Sequence, residues 1–239
     1  MHGKRFGRRC LMIEGSLYRN EWKYLCRLNE WAGLSSKLDR LLYADRHSPL
    51  GKYWVHSLYF DDLEDSGMLD NNAGNSERRK IRFRYYGDDI KTLHLECKKK
   101  LNGRCRKLSV PVTEDGLYML IEGRAMELFS ETEDPLLKKF CLYFESKLLS
   151  PRVIVDYERT AYVEEAQNLR VTYDENITAS TEVDRFLSGG YTKRPVASGN
   201  NVLEVKFDRV LPGYLKRIIE MADIELTAFS KYYLARSGG

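Results

Sequence analysis

The segment 80–86 has the sequence KIRFRYY, in which Lys80, Arg82 and Arg84 alternate with apolar residues. Side chains alternate across a β-strand, so these three cations would share one face. Guanidinium groups bind phosphate oxygens in pairs, and ammonium groups provide compact positive charge. The spacing therefore predicts a strand with one cationic face that is suited to a polyanion.

Further strand-like segments place carboxylates and cations together on one predicted face. The pairs at a spacing of two are Glu21 with Lys23, Glu96 with Lys98 and Glu204 with Lys206, and Arg19 and Arg170 lie on the charged faces of their own segments. Carboxylates could hold a divalent metal ion that bridges phosphate oxygens. A closed barrel with these faces turned inward would form a cavity suited to a linear polyanion together with such a metal. For any single strand, the alternative is a charged face in contact with water.

Positive charge is concentrated in one part of the chain. Residues 78–107 contain twelve Lys or Arg and three Asp or Glu, although the whole chain has a formal charge of only +4. This segment is expected to meet a polyanion. A single-stranded nucleic acid would need aromatic and cationic side chains on the same surface. Because Phe83 and Tyr85 alternate with the arginines, we expect no nucleic-acid partner.

Apolar spacing and turn-forming residues predict eight strands, four helices and no linker that would divide the chain. The strands are expected at Ser16–Leu25, Tyr53–Asp61, Lys80–Tyr86, Thr92–Lys99, Arg106–Val112, Val153–Val163, Leu169–Asp174 and Val202–Asp208. The helices are expected at Asn29–Leu42, Glu114–Ile121, Pro135–Leu149 and Pro212–Met221. Asn102 and Gly103 are typical of an antiparallel hairpin. These elements predict one α+β domain over residues 1–239, built on an antiparallel sheet or a closed barrel.

Cysteine usage and hydropathy bear on the compartment. The chain has five cysteines without a Cys-x-x-Cys pair, and its four histidines are scattered. Neither a disulfide framework nor a thiolate zinc site fits this pattern. No apolar run is long enough for a membrane helix, and the basic N-terminus is not followed by the apolar part of a secretory signal. We expect a cytoplasmic protein without a transmembrane segment, and no feature indicates an obligatory protein partner.

Eight motifs, in order along the chain, resemble the VTC domain, which is the catalytic domain of the vacuolar transporter chaperone polyphosphate polymerases. They are EWKY at 21–24, SLYFD at 57–61, RKIRFRYYG at 79–87, LECK at 95–98, DYERTAY at 156–162, LRVTYD at 169–174, LEVK at 203–206 and SKY at 230–232. The resemblance extends over a core from about residue 16 to 234. It implies the fold of the CYTH-like triphosphate tunnel metalloenzymes, a closed antiparallel β-barrel of about eight strands with flanking helices.

The same resemblance implies a phosphotransferase that transfers the γ-phosphate of ATP to a growing inorganic polyphosphate chain, with Mn²⁺ or Mg²⁺. The positions that match phosphate-contacting residues of the family, and are expected to be catalytic, are Lys23, Arg82, Arg84, Lys98, Arg159 and Lys231. Glu204 matches the metal-ligand position, and the charged faces add Glu21 and Glu96 as expected metal ligands. Arg19, Arg170 and Lys206 are expected to bind substrate. ATP and polyphosphate are therefore the expected partners.

One departure from the superfamily pattern bears on the type of reaction. The hydrolase branch usually begins with Glu-x-Glu-x-Lys, whereas this chain has Arg19 in the first acidic place of the stretch that ends at Lys23. This difference favours the polymerase. Two alternatives stay open: a hydrolase of triphosphate, ATP or polyphosphate in the same tunnel, and a non-catalytic module that binds polyphosphate.

Overall fold

The computed structural model describes residues 18–45, 51–72, 77–196, 199 and 201–238. Its strands are β1 Arg19–Cys26, β2 Tyr43–Ala44, β3 Tyr53–Asp61, β4 Glu77–Tyr86, β5 Asp89–Leu101, β6 Arg104–Pro111, β7 Ser150–Glu164, β8 Leu169–Ser180, β9 Arg194–Pro195 and β10 Asn201–Phe207. Its helices are α1 Leu28–Leu38, α2 Ser66–Asn72, α3 Glu114–Ile121, α4 Ala125–Glu131, α5 Pro135–Lys147, α6 Gly213–Glu220 and α7 Lys231–Ser237.

Eight of the strands form a closed antiparallel barrel. Their order around the wall is β7, β3, β4, β5, β6, β1, β10 and β8, and β8 pairs with β7 to complete the ring. The short strands β2 and β9 extend the wall beside β7 and β8. The predicted α+β fold, a closed antiparallel barrel with flanking helices, is confirmed. Pairing of β8 with β7 closes the ring, so these two strands leave no free edge between them.

The shortest strand pairing of the ring is the one between β1 and β6. Only Arg19 with Cys105 and Asn20 with Arg104 are in register there. Beyond that point the edge of β1 is covered by the segment 225–227: the backbone N–H of Leu25 donates to the carbonyl of residue 225, and that of residue 227 donates to the carbonyl of Lys23. The segment 225–227 thereby covers this edge of the wall, and it precedes α7 in the chain.

Outward faces of the strands carry the hydrophobic cores. On β4, Ile81, Phe83 and Tyr85 are buried in a cluster formed with β3, β5 and helices α3 to α5. On the opposite side, α1 and α6 cover β1, β8 and β10, and Trp31 stacks on Tyr173 with ring centroids 4.2 Å apart. Successive side chains of a strand point to opposite faces. Because the apolar side chains point outward from the barrel, the charged residues between them point into it.

One end of the barrel interior is filled by α7. Tyr232 and Ala235 of this helix pack against Val155, Ile177 and Val202 of the inner wall. The side chain of Ser230 accepts a hydrogen bond from a backbone N–H of the first turn and caps the helix. The interior is therefore apolar near α7 and charged farther from it.

The predicted helix boundaries agree best with the structure where a capping or turn-forming residue lies at the end of the helix. Helix α3 matches its prediction at both ends, and Thr113 caps it by accepting from the Gly116 N–H at 3.2 Å. Helix α5 ends two residues earlier than predicted because Leu148 adopts a left-handed conformation with φ of 49°. The short helices α2, α4 and α7 were not predicted, and the residues 16–17 of the first predicted strand lie outside the described part. Within the described part of the chain, the helices are too short or too polar to cross a membrane.

Replacement of Phe83 by alanine tests whether the outward face of β4 supports the barrel. This side chain is fully buried, so we expect Phe83→Ala to lower the free energy of unfolding by about 3–5 kcal/mol through lost burial and a cavity. Denaturant unfolding followed by circular dichroism measures the loss. Tyr43→Ala is the control because Tyr43 is 78% exposed, and its stability should equal that of the wild type. Equal losses for both variants would contradict the assignment of the two faces.

Candidate active site

A cavity of about 400 Å³ inside the barrel is lined by most of the predicted site residues. Those that line it are Arg19, Glu21, Lys23, Arg82, Arg84, Lys98, Arg159, Arg170, Glu204, Lys206 and Lys231. They come from β1, β4, β5, β7, β8, β10 and the start of α7. Strands distant in sequence thus turn their charged faces toward one space. Glu96 alone among the twelve predicted residues does not line it.

Glu96 lies behind the lining, where it holds Arg82 in place. The Arg82 guanidinium donates to Glu96 Oε2 from Nε at 2.9 Å and from Nη2 at 2.7 Å, and Lys107 Nζ donates to Oε1 at 2.7 Å. Burial raises the pKa of Glu96, but Arg82, Arg84 and Lys107 outweigh it and hold that pKa well below its usual range. Glu96 does not line the cavity, and its two oxygens accept hydrogen bonds from Arg82 and Lys107, so the contact that the structure gives it is with these cations, and its expected metal role stays a prediction.

Glu21 and Glu204 face the cavity from the neighbouring strands β1 and β10. Lys98 Nζ donates to both oxygens of Glu21 at 2.6 Å, and Lys206 Nζ is 2.5 Å from Glu204 Oε1. Lys23 Nζ lies between them, 3.7 Å from Glu21 Oε1 and 3.6 Å from Glu204 Oε2. These contacts make a compact cluster of two carboxylates and three lysines.

Both carboxylates of this cluster are ionised. Burial and the neighbouring Glu204 raise the pKa of Glu21, but Lys98, Lys23 and Lys206 together lower it to about 2. Burial likewise opposes ionisation of Glu204, yet Lys206, Lys98 and Lys23 hold its pKa well below the usual range. The pair therefore presents two negative charges to the cavity at neutral pH.

Asp174 is a second carboxylate centre that the residue-type analysis did not select. It is fully buried, and Arg159 donates to its Oδ1 from Nε at 2.6 Å and to its Oδ2 from Nη2 at 2.8 Å. Lys231 Nζ donates to the same Oδ2 at 2.6 Å. Burial raises the pKa of Asp174, but Arg159 and Lys231 lower it to about 2. Asp174 lies two residues after Thr172 and four after Arg170, on the same strand face. This alternation was the sequence signal that could have identified it as an inward-facing residue.

Tyrosine hydroxyls orient the two arginines of β4. Arg84 donates from Nη2 to the Tyr157 hydroxyl at 3.0 Å and from Nε to Ser57 Oγ at 3.1 Å. Arg82 donates from Nη1 to the Tyr59 hydroxyl at 3.1 Å. These partners were not predicted as site residues, because tyrosines in a strand are indistinguishable from packing residues until the opposite wall is known. With such supports, the guanidinium groups are held in position before any ligand binds.

The remaining predicted residues lie toward the rim of the cavity. Arg19 forms an ion pair with Asp208 at 2.9 Å. Arg170 contacts the Tyr53 hydroxyl at 3.1 Å and Asp45 at 2.8 Å. Five further cations also line the cavity, and none of them was assigned a site role from the sequence: Arg78, Lys80, Lys100, Arg106 and Lys107.

Glu21 and Glu204 are the residues that fit a divalent metal. Mg²⁺ is commonly bound by one or two carboxylates together with phosphate oxygens and water, and this pair is ionised and faces the cavity. Within the described residues, no group of three or more His, Cys, Asp or Glu could hold a metal ion by itself. The donor set therefore suits an ion that completes its coordination with ligand oxygens.

Comparison with solved structures shows the same fold in other proteins. A candidate adenylyl cyclase from Hippeastrum, HpAC1, described as having a dominant triphosphatase activity, has a TM-score of 0.56 and 15% identity, over 93% of this chain and 96% of that one. A candidate adenylate cyclase from Bacillus halodurans has a TM-score of 0.50 and 10% identity, over 90% of this chain and 95% of that one. No curated protein matches the chain.

The family model of the VTC domain matches residues 18–237. This range begins just before β1 and ends within α7, so it includes the whole barrel and every residue that lines the cavity. The match and the closed tunnel fold agree with each other. The chain therefore belongs to the VTC domain family.

Proposed function

We propose that the chain is a metal-dependent polyphosphate polymerase, which transfers the γ-phosphate of ATP to a growing inorganic polyphosphate chain. The observation that carries the proposal is the set of cations that face one enclosed cavity beside two ionised carboxylates. Membership in the VTC domain family supports a tunnel that binds triphosphate-like chains. The catalytic, substrate-binding and metal roles of the individual residues belong to this proposal.

Phosphoryl transfer requires positioning and charge neutralisation more than covalent help from the protein. Arg82, Arg84 and Arg159 are each fixed by hydrogen bonds to side chains of the wall. A fixed guanidinium can bind two phosphate oxygens and stabilise the charge that develops on them, without reorganising during the reaction. Lys23, Lys98 and Lys231 add point charges around the same space. This wall would hold the attacking and leaving oxygens in line.

Mn²⁺ or Mg²⁺ would be held by Glu204 and Glu21. Bound there, the ion would supply positive charge that neutralises phosphate oxygens and favours departure of ADP. Lys206 and Lys23 contact Glu204, so they keep the carboxylate ionised and oriented. Glu96 is left out of this role because, unlike Glu21 and Glu204, it does not line the cavity.

A polyphosphate acceptor does not need a strong general base. Its terminal oxygens are largely ionised near neutral pH, so they can attack once they are positioned. No histidine is found among the described residues that line the cavity. His94, which shares a strand face with Glu96, lies with Nδ1 2.6 Å from the backbone carbonyl of Thr92. These features favour an acceptor that is already ionised over water, which would require activation.

A hydrolase in the same tunnel is the second candidate, and one comparison favours it. The Hippeastrum structure with the same fold is described as having a dominant triphosphatase activity. Against this, Arg19 lies at the cavity rim where the hydrolase pattern has an acidic residue. The two reactions use the same charge stabilisation and differ in the acceptor, so the products separate them.

Glu204→Gln tests the polymerase and its metal ligand together. Purified wild-type protein is incubated with γ-labelled ATP and Mn²⁺, and the products are resolved on a gel. We expect a ladder of long labelled chains from the wild type and at least about a hundredfold lower turnover from the variant, because the ion loses its charged ligand. Glu133→Gln is the matched control, since the Glu133 side chain is 94% exposed. It should retain the wild-type rate.

The other product patterns have definite meanings. Labelled orthophosphate without chains would replace the polymerase with the hydrolase. Full activity of Glu204→Gln, with circular dichroism spectra equal to the wild type, would contradict the metal assignment. Absence of turnover with retained binding of polyphosphate would leave a binding module.

Arg82→Ala tests the phosphate-binding wall separately from the metal. We expect the variant to bind ATP at least about tenfold more weakly, because a charge-assisted pair of hydrogen bonds is lost. Arg124→Ala is the control, because Arg124 lies outside the barrel and pairs with Glu122 and Glu127 at the start of α4. Binding by the wild type should also weaken as salt increases. Equal affinities of Arg82→Ala and the control would contradict the role of Arg82.

A further inference from the structure

Lys80 differs from Lys23, Lys98, Lys206 and Lys231 of the cavity in having no carboxylate partner among the described residues. Lys23, Lys98, Lys206 and Lys231 each form an ion pair with Glu21, Glu204 or Asp174. Lys80 Nζ instead donates to the Ser230 Oγ at 2.6 Å and lies 5.8 Å from the centre of the Tyr232 ring. This cation thus lies in the cavity without a counter-charge from the protein.

The groups that face Lys80 are predominantly positive. They are Lys23 from β1, Arg78 and Arg82 from β4, Lys98 from β5, and the uncharged Ser230 and Tyr232 at the start of α7. Glu21 is the carboxylate of this region, and Lys98 engages both of its oxygens. Burial and the surrounding cations lower the pKa of Lys80 to about 7. Lys80 is therefore the lysine of this region whose charge is least favoured by its surroundings.

Ser230 is suited to either protonation state of Lys80. Its Oγ also accepts from the Tyr233 backbone N–H at 3.2 Å. The hydroxyl can accept from a charged ammonium, and it can donate its own proton to a neutral amine. Both the charged and the neutral form of Lys80 therefore have a hydrogen-bond partner in Ser230.

We propose that Lys80 and Ser230 form a subsite for one phosphate group of a polyphosphate chain, and that binding of this group is coupled to uptake of one proton by Lys80. The inference rests on the proposed function and gives a role to Lys80, which lies on the cationic face of β4 but was not assigned a catalytic, substrate-binding or metal role. The ligand supplies the anion that the wall lacks, which favours the charged form of the lysine. The affinity must therefore fall as the pH rises above the pKa of Lys80 in the free protein. The proton that Lys80 gains on binding comes from solvent.

Calorimetric titration with tripolyphosphate, in EDTA to prevent turnover, tests this coupling. The wild type is compared with Lys80→Met, which has no charge, and with Lys80→Arg, which is charged at every pH used. At pH 8, in two buffers with different ionisation enthalpies, we expect about one more proton to be taken up by the wild type than by either variant. Protons that the ligand itself takes up or releases contribute to all three measurements, so they cancel in the difference between the wild type and each variant.

The pH dependence provides a second readout. Between pH 7 and pH 8.5, we expect the affinity of the wild type to fall by about tenfold more than that of Lys80→Arg, since one pH unit changes the charged fraction of a titrating amine by up to tenfold. At pH 7, Lys80→Met should bind at least about fivefold more weakly than the wild type. Thermal unfolding verifies that the variants are folded.

The outcomes separate this inference from the proposed function. Wild-type binding with the same proton uptake and pH profile as both variants would overturn the role of Lys80 and leave the polymerase intact. Absence of tripolyphosphate binding by the wild type in EDTA would overturn the subsite, whereas the polymerase is tested separately, with Mn²⁺ present, by the products formed from labelled ATP.

Discussion

The charged interior of this barrel depends on carboxylates that lie between the cations. Enclosing like charges away from water is unfavourable unless each is paired and hydrogen-bonded. Glu21, Glu96, Asp174 and Glu204 each contact at least two cations, and all four have lowered pKa values. Their negative charge allows the folded chain to hold a dense set of Arg and Lys residues before a ligand is present.

The same pairing makes the site rigid. Arg82 and Arg159 are each bound through two nitrogens to one carboxylate, and Arg84 is held by the hydroxyls of Ser57 and Tyr157. A guanidinium that is already oriented loses little freedom when it binds phosphate. Carboxylates that do not touch a ligand can therefore be as important for binding as the cations that do.

Lys80 belongs to a different category of cation. The paired residues obtain their counter-charge from the wall, whereas Lys80 has a hydroxyl partner supplied by the cap of α7. The chain end has several roles in this region: the segment 225–227 covers the edge of β1, Ser230 and Lys231 face the cavity, and Tyr232 packs in the interior. The lining of the cavity, the covering of β1 and the capping of α7 thus depend on the same segment of the chain.

Much of the architecture was determined by local patterns in the sequence. Alternation at a spacing of two identified the eight barrel strands and placed Lys23, Arg82, Arg84 and Glu204 on inward faces, because successive side chains of a strand point in opposite directions. Thr113 defined the start of α3 because a cap acts within one turn. Short α7 was missed, since seven residues carry too little periodicity to distinguish a helix.

Only the tertiary structure decided which charges meet. Glu96 appeared equivalent to Glu21 and Glu204 in the sequence, but Arg82 and Lys107 occupy its oxygens behind the lining. Asp174 acquires its roles from Arg159 and from Lys231, which is 57 residues away in the sequence. Strand alternation specifies the face of a residue, but the order of strands around the ring and their register specify its neighbours. These depend on long-range pairing, so the sequence determined the inward set of charges and the closed barrel determined their partners.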